Sequence, residues 1–278
     1  MTATDSHPVP GPLAGESALV TGGGTGIGLG IARRLAADGA TVVLAGRRAE
    51  VLDRAVTTIT DSGGVAIPVV CDVTDESAVA DAVAVAADAG RFTMCVANAG
   101  FGAATPFHLT PLDEWNRVLG TNLTGAFLTM KHSVVPMVRA GGGSIVAVSS
   151  IAGPLTHRFM TSYGVSKAGL EMLVKQVADE LGRDGIRCNA VRPGLVPTEA
   201  TVGLTTTEVI LGDYLAQMPL GRPGHEDEVA ALVRFLLGPE SGWITGQCIG
   251  VDGGHTLRRG PDLTPVMDAV LGPQARPS

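Results

Sequence analysis

Short apolar runs alternate along the chain with longer segments whose apolar positions recur every three or four residues. Ala18–Val20, Thr41–Ala45, Val65–Val70, Thr93–Ala97, Ser144–Val148, Ile186–Val191 and Gln247–Val251 read as strands. They are almost continuously apolar, the pattern of strands covered on both faces. Between them the spacing predicts helices near residues 27–38, 49–61, 76–88, 113–139, 162–182 and 226–237. Strand and helix in alternation imply an α/β domain with a doubly wound parallel sheet of about seven strands, flanked by helices. No second domain, repeat or long linker interrupts it. The expected organisation is a tail over 1–12, one domain over 13–254 and a second tail over 255–278. Inside the domain, Leu195–Gly224 breaks the regular pattern, and connections of that length are often functional.

The chain has 278 residues, 45% of them hydrophobic, with 38 glycines and few aromatics, which suits one compact enzyme domain. The net charge of −7, without any Lys/Arg run, argues against nucleic acid and anionic membrane as partners. No apolar stretch reaches membrane-spanning length, and the polar start Met1–Pro12 does not read as a signal peptide. Cys71, Cys95, Cys188 and Cys248 are scattered, each in or beside an apolar run. They read as buried free thiols in a reducing cytoplasm. The six histidines show no metal-ligand spacing, and no metal site is expected. His157 stands apart only because it lies between Ser150 and Tyr163; a surface-loop histidine is the plainer reading.

The candidate chemistry begins after the first strand, at Thr21-Gly22-Gly23-Gly24-Thr25-Gly26-Ile27-Gly28. A Gly-rich turn opening a helix brings backbone N–H groups and the helix dipole to a pyrophosphate. Gly22, Thr25, Gly26, Ile27 and Gly28 are therefore candidate cofactor contacts. The turn lacks the Gly-Lys-Ser/Thr ending of a nucleotide-hydrolysing P-loop. The second strand ends at Gly46-Arg47-Arg48, without the carboxylate that would exclude a 2′-phosphate. Arg47 points to NADP, with NAD possible. Asp72 and Val73 close the third strand, where Asp72 either meets an adenine amino group or caps the next helix. Asn98, Ala99 and Gly100 close the fourth and let backbone approach the adenosine side.

Tyr163 and Lys167 stand four apart on a predicted helix, with Ser150 upstream. That spacing puts phenol and ammonium on one face. A cation beside a phenol favours the phenolate, so the pair predicts a lowered Tyr163 pKa and proton transfer at an alcohol or carbonyl oxygen.

Taken in order, the glycine turn, Asn98-Ala99-Gly100, Asn122, Ser150, Tyr163-x-x-x-Lys167 and Pro193-Gly194 resemble the short-chain dehydrogenase/reductase family over about Leu13 to Gly254. The resemblance implies a Rossmann-type domain that interconverts a secondary alcohol and a ketone by hydride transfer with NAD(P). It implies Tyr163 as proton donor or acceptor and Lys167 as the group that lowers its pKa and binds the nicotinamide ribose. Ser150, in preference to its neighbour Ser149, would donate to the substrate oxygen, and Asn122 would hold a water in a proton relay. Pro193, Gly194, Val196 and Thr198 would fix the nicotinamide amide. The helices near 113–139 and 162–182 would build the faces of a homotetramer or homodimer. The apolar residues within Thr198–Pro223 suit a greasy carbonyl substrate such as a 3-oxoacyl thioester, a steroid-like ketone or an aromatic ketone. The readings that compete are a dinucleotide sensor or scaffold without turnover, and an epimerase or dehydratase on the same fold.

Overall fold

The computed structural model describes residues 11–257. The expectations for the tails fall largely outside that range. Seven parallel strands form one sheet: β1 (Glu16–Thr21), β2 (Thr41–Gly46), β3 (Val65–Val70), β4 (Arg91–Ala97), β5 (Gly143–Val148), β6 (Ile186–Pro193) and β7 (Cys248–Val251). Their spatial order is β3-β2-β1-β4-β5-β6-β7. The doubly wound sheet expected from the sequence is therefore present.

The period-2 alternation of each strand divides the core in two. Ala18, Val20, Val42, Leu44, Val146 and Val148 face one layer, with Ile31 and Leu35 of α1 (Gly26–Ala37), Leu52 and Ile59 of α2 (Ala49–Thr60), and Val229, Val233 and Leu236 of α9 (Glu226–Leu237). Leu19, Val43, Cys95, Ile145 and Ala147 face the other. There they meet Val79 and Val83 of α3 (Glu76–Asp88), Met130 and Met137 of α5 (Gly125–Arg139), and Leu170 and Val174 of α6 (Thr161–Leu181). Burying each such Val, Leu or Ile contributes roughly 1.5–3 kcal/mol relative to exposure. β3 is an edge strand, which is why Pro68, with no N–H to give, is tolerated inside it.

Two segments depart from the sequence pattern. The long helix expected over 113–139 is α4 (Leu112–Leu119), one π-helical turn at Gly120–Thr124, then α5. The wide turn falls at Asn122, and π turns of this kind are frequent at functional positions. The long connection before α9 carries two short helices, α7 (Val202–Thr206) and α8 (Glu208–Gln217). Cys71, Cys95 and Cys188 are buried, Cys248 is half-buried, and all four are free thiols.

Candidate active site

The strand order reverses between β1 and β4, and a cleft opens there at the carboxyl ends of the strands. A cavity of about 410 Å³ occupies it. Every residue proposed from the sequence as a cofactor contact lines it, as do Ser150, Tyr163 and Lys167.

The glycine turn is shaped for close approach. Gly22 has φ +64°, and a Cβ there would lie 2.9 Å from Asn98 Nδ2. A Cβ on Gly28 would lie 2.2 Å from the Gly22 carbonyl oxygen. Asn98 holds the turn in place: its Nδ2 donates to the carbonyls of Thr21 at 2.9 Å and Gly22 at 3.2 Å. In return, Thr21 Oγ1 accepts the backbone N–H groups of Asn98 and Ala99. Asn98 thus acts on the cradle through its side chain, a role that the small-residue reading of this segment did not contain.

The start of α1 has no side-chain cap and no acidic residue in its first turn. By contrast, Asp75 caps α3 by accepting from Ser77 and Ala78. The open end of α1 leaves backbone amides and the positive end of the helix dipole facing the cleft, the donor set that suits a pyrophosphate.

Arg47 and Arg48 are exposed at the cleft rim. Arg48 approaches Glu199 at 3.6 Å. Arg47 makes no ion pair within the described residues; the Asp72 carboxyl is held below its usual range chiefly by hydrogen bonds from Thr74, with a smaller pull from Arg47. Asp72 Oδ1 accepts from the N–H and hydroxyl of Thr74 at 2.9 and 2.8 Å. Capping of the next helix falls to Asp75, so Asp72 is not the cap. Thr198 folds over the turn, its Cγ2 2.9 Å from where a Cβ of Gly26 would stand.

At the far end of the cleft, α6 presents Tyr163 and Lys167. Lys167 is 4% exposed, its Nζ donates to the Val148 carbonyl at 2.8 Å, and it lies 5.7 Å from the centre of the Tyr163 ring. Burial pulls the Lys167 ammonium down to about 8, and the Glu171 carboxylate opposes that fall. The expected lowering of the Tyr163 pKa is not found. Burial of the phenol outweighs the Ser150 hydroxyl that favours its ionised form, and the nearby Tyr214 phenol adds to the rise. Lys167, whose ammonium donates to the Val148 carbonyl, is not among the groups that shift the phenol.

Ser150 Oγ accepts from Ala152 N–H at 3.1 Å and faces Tyr163. Ser149 is turned the other way, donating to Glu171 Oε1 at 2.9 Å. Glu171 is held by a bidentate pair from Arg192, at 2.6 and 2.5 Å. This buried network had no motif to announce it. Asn122 is 1% exposed; its Nδ2 donates to the Phe101 carbonyl at 2.9 Å and to Ser166 Oγ at 3.0 Å, and its Oδ1 accepts the Phe101 N–H. Its side chain is therefore fully engaged, and it does not line the cavity. Gly100 lies between it and Lys167, a Cβ there meeting Asn122 Oδ1 at 3.0 Å and Lys167 Nζ at 3.5 Å.

His157, Met160, Leu204 and Tyr214 also line the cavity. Phe159, beside Met160, takes φ +68°, the one non-glycine positive φ among the described residues. Backbone strain of this kind collects at functional sites.

A dinucleotide cradle that ends on a Ser–Tyr–Lys group defines a nicotinamide-dependent oxidoreductase. Residues 22–256 match the family described as enoyl-(acyl carrier protein) reductase, and the chain belongs to the short-chain dehydrogenases/reductases. It is 39% identical over 88% of its length to cis-4-hydroxycyclohexanecarboxylate dehydrogenase of Sinomonas cyclohexanicum, covering 98% of that protein. It is 36% identical to galactitol 2-dehydrogenase (L-tagatose-forming) of Cereibacter sphaeroides, over 88% of this chain and 96% of that one. A solved short-chain type dehydrogenase/reductase from Mycobacterium ulcerans superposes with a TM-score of 0.86 at 38% identity, over 95% of this chain and 98% of that one. The protein is an NAD(P)-dependent oxidoreductase.

Proposed function

We propose that the enzyme interconverts a secondary alcohol and a ketone, with NADPH preferred over NADH and an apolar body on the substrate. The observation that carries this reading is the convergence of Ser150 and Tyr163 in the same cleft as the open start of α1. The glycine turn and the α1 amides bind the pyrophosphate, and Arg47 meets a 2′-phosphate. The nicotinamide, when bound, supplies or accepts the hydride.

The chain's own residues handle the oxygen and its proton. In reduction, Tyr163 gives its phenolic proton to the carbonyl oxygen while the Ser150 hydroxyl donates a hydrogen bond to it. Two donors on one oxygen stabilise the alkoxide as it forms. Burial holds the Tyr163 phenol above its usual range, so it carries its proton at neutral pH, as the acid role in reduction requires. Lys167 offsets the charge left on Tyr163. Asn122 sets the distance between α6 and the Phe101 backbone, and a water relay would start from the π turn that contains it.

Among the described residues no helix is long and apolar enough to cross a membrane, and the free thiols fit a reducing cytoplasm. Phe127 and Val135 on α5, with Val165 and Met172 on α6, are exposed apolar residues that fit a subunit contact in a dimer or tetramer. The test is NADPH oxidation against a panel of ketones by wild type and Tyr163→Phe. Tyr163→Phe is expected to lose at least 100-fold in kcat while still binding NADPH. Full activity in that variant overturns the assignment.

A further inference from the structure

Three polar side chains at the substrate end of the cleft have no part in the chemistry above. Tyr214, carried by α8, lines the cavity, and its phenol lies near enough to Tyr163 for a charge on one to disfavour a charge on the other. Among the described residues, no hydrogen bond engages the Tyr214 hydroxyl. His157 lines the same cavity, and its Nδ1 lies 3.2 Å from the Leu155 carbonyl. That contact requires the hydrogen on Nδ1, so a neutral His157 keeps Nε2 as a free acceptor.

Behind them stands His255, 8% exposed, with its ring edge-on to Tyr214 at 5.4 Å between centroids. Its Nδ1 is buried without a hydrogen-bond partner among the described residues. Such an atom is costly to leave alone. The neighbouring Asp252 does not serve it, because Oδ1 accepts from Gly254 N–H and Oδ2 from Thr256 N–H, both at 2.9 Å. Burial above all holds the His255 ring below its usual range, against the opposing pull of Asp252 and Asp213.

We propose that Tyr214 and His157, with His255 positioning Tyr214, form a subsite for a second hydroxyl group on the substrate. A hydroxyl satisfies both residues at once: it accepts from the Tyr214 O–H and donates to His157 Nε2. A carboxylate offers acceptors alone and leaves Nε2 unpaired. The preferred substrates are then diols and hydroxyketones, with an apolar body against Met160 and Leu204. The inference rests on the alcohol–ketone reading of the cleft and narrows it.

The experiment compares kcat/KM for cyclohexanol, for trans-1,2-, 1,3- and 1,4-cyclohexanediol and for cis-4-hydroxycyclohexanecarboxylate in wild type, Tyr214→Phe and His157→Phe. In wild type at least one diol is expected to exceed cyclohexanol by about tenfold, the worth of one to two hydrogen bonds. Each substitution is expected to erase most of that ratio through KM, and His255→Phe to reduce it while His255→Gln retains more. A ratio near one in wild type, or one that survives both substitutions, overturns the proposal. A preference for the carboxylate that depends on the same residues also overturns it. If no alcohol in the set is oxidised, the alcohol–ketone reading is what has failed for these compounds. Ligand-observed NMR on the wild-type and Tyr214→Phe cofactor complexes then reads the subsite without turnover. Diol binding that weakens in the variant sustains the proposal, and diol binding equal to that of cyclohexanol ends it.

Discussion

The ammonium of Lys167 donates to the carbonyl oxygen of Val148, the last residue of β5, at 2.8 Å. The bond ties the face of α6 that carries Tyr163 to the carboxyl end of β5 and takes the charge out of water. Burial brings its pKa to about 8, with Glu171 pulling the other way. Lys167 is charged below that pH and neutral above it. Ketone reduction, which leaves negative charge on Tyr163, is therefore expected to decline as pH rises through about 8, where Lys167 loses its proton. Replacing Glu171 by Gln removes an interaction that favours the ammonium, so the midpoint moves to lower pH. The check is a pH profile of kcat for wild type and Glu171→Gln; coincident midpoints would show that the carboxylate does not act on Lys167.

Glu171 is also the hub of a network with Ser149 and Arg192, at 2.9 Å from Ser149 and 2.5 Å from an Arg192 nitrogen. Its side chain is 9% exposed and that of Arg192 23%. Removing one partner strands the other charge in the interior. Arg192→Leu is expected to destabilise the fold by about 3 kcal/mol, near the lower end for a broken buried pair. The paired replacement Glu171→Leu with Arg192→Leu costs less, since no charge is left unpaired. Urea unfolding of both variants measures the difference.

The glycine turn has no room at Gly28. A methyl group there meets the Gly22 carbonyl at 2.2 Å and the Asn98 amide at 2.6 Å, both parts of the same pinned cradle. Gly28→Ala is expected to push the turn away from the cleft and weaken NADPH binding by at least tenfold, on the order of 1.4 kcal/mol or more. Cofactor fluorescence titration reads the loss, and binding equal to wild type would show that the cradle yields.

The sheet was legible because its strands are apolar on both faces and its helices keep a strict period. Cys71, Cys95 and Cys188 confirm the reading as buried thiols in or beside those strands. The cradle and the Tyr163–Lys167 pair were legible because their chemistry depends on local spacing. The π turn at Asn122 was not, because it lies within a segment that otherwise reads as one helix. The direction of the Tyr163 pKa was also hidden. Proximity along a helix shows that Lys167 and Tyr163 share a face, but not that the ammonium also bonds the Val148 carbonyl or that burial dominates at the phenol. The Glu171–Arg192 pair joins residues far apart in the chain and becomes visible only when α6 lies against β6.

The proposed preference for NADPH turns on Arg47, which the sequence singled out from the Arg47–Arg48 pair. In the structure Arg48 is drawn to Glu199 across the cleft mouth at 3.6 Å, while Arg47 has no carboxylate within ion-pair distance among the described residues. The free guanidinium is the one able to meet a 2′-phosphate with charge-assisted hydrogen bonds. Arg47→Ala is expected to raise the KM for NADPH by about tenfold to a hundredfold, the worth of hydrogen bonds to a charged group. The KM for NADH, which carries no phosphate there, should change little. Arg48→Ala should act on both cofactors alike, because its partner Glu199 belongs to the segment that covers the cleft and not to the phosphate. Steady-state kinetics of the two variants with each cofactor decides the matter: an unchanged NADPH/NADH ratio in Arg47→Ala would move phosphate recognition away from Arg47.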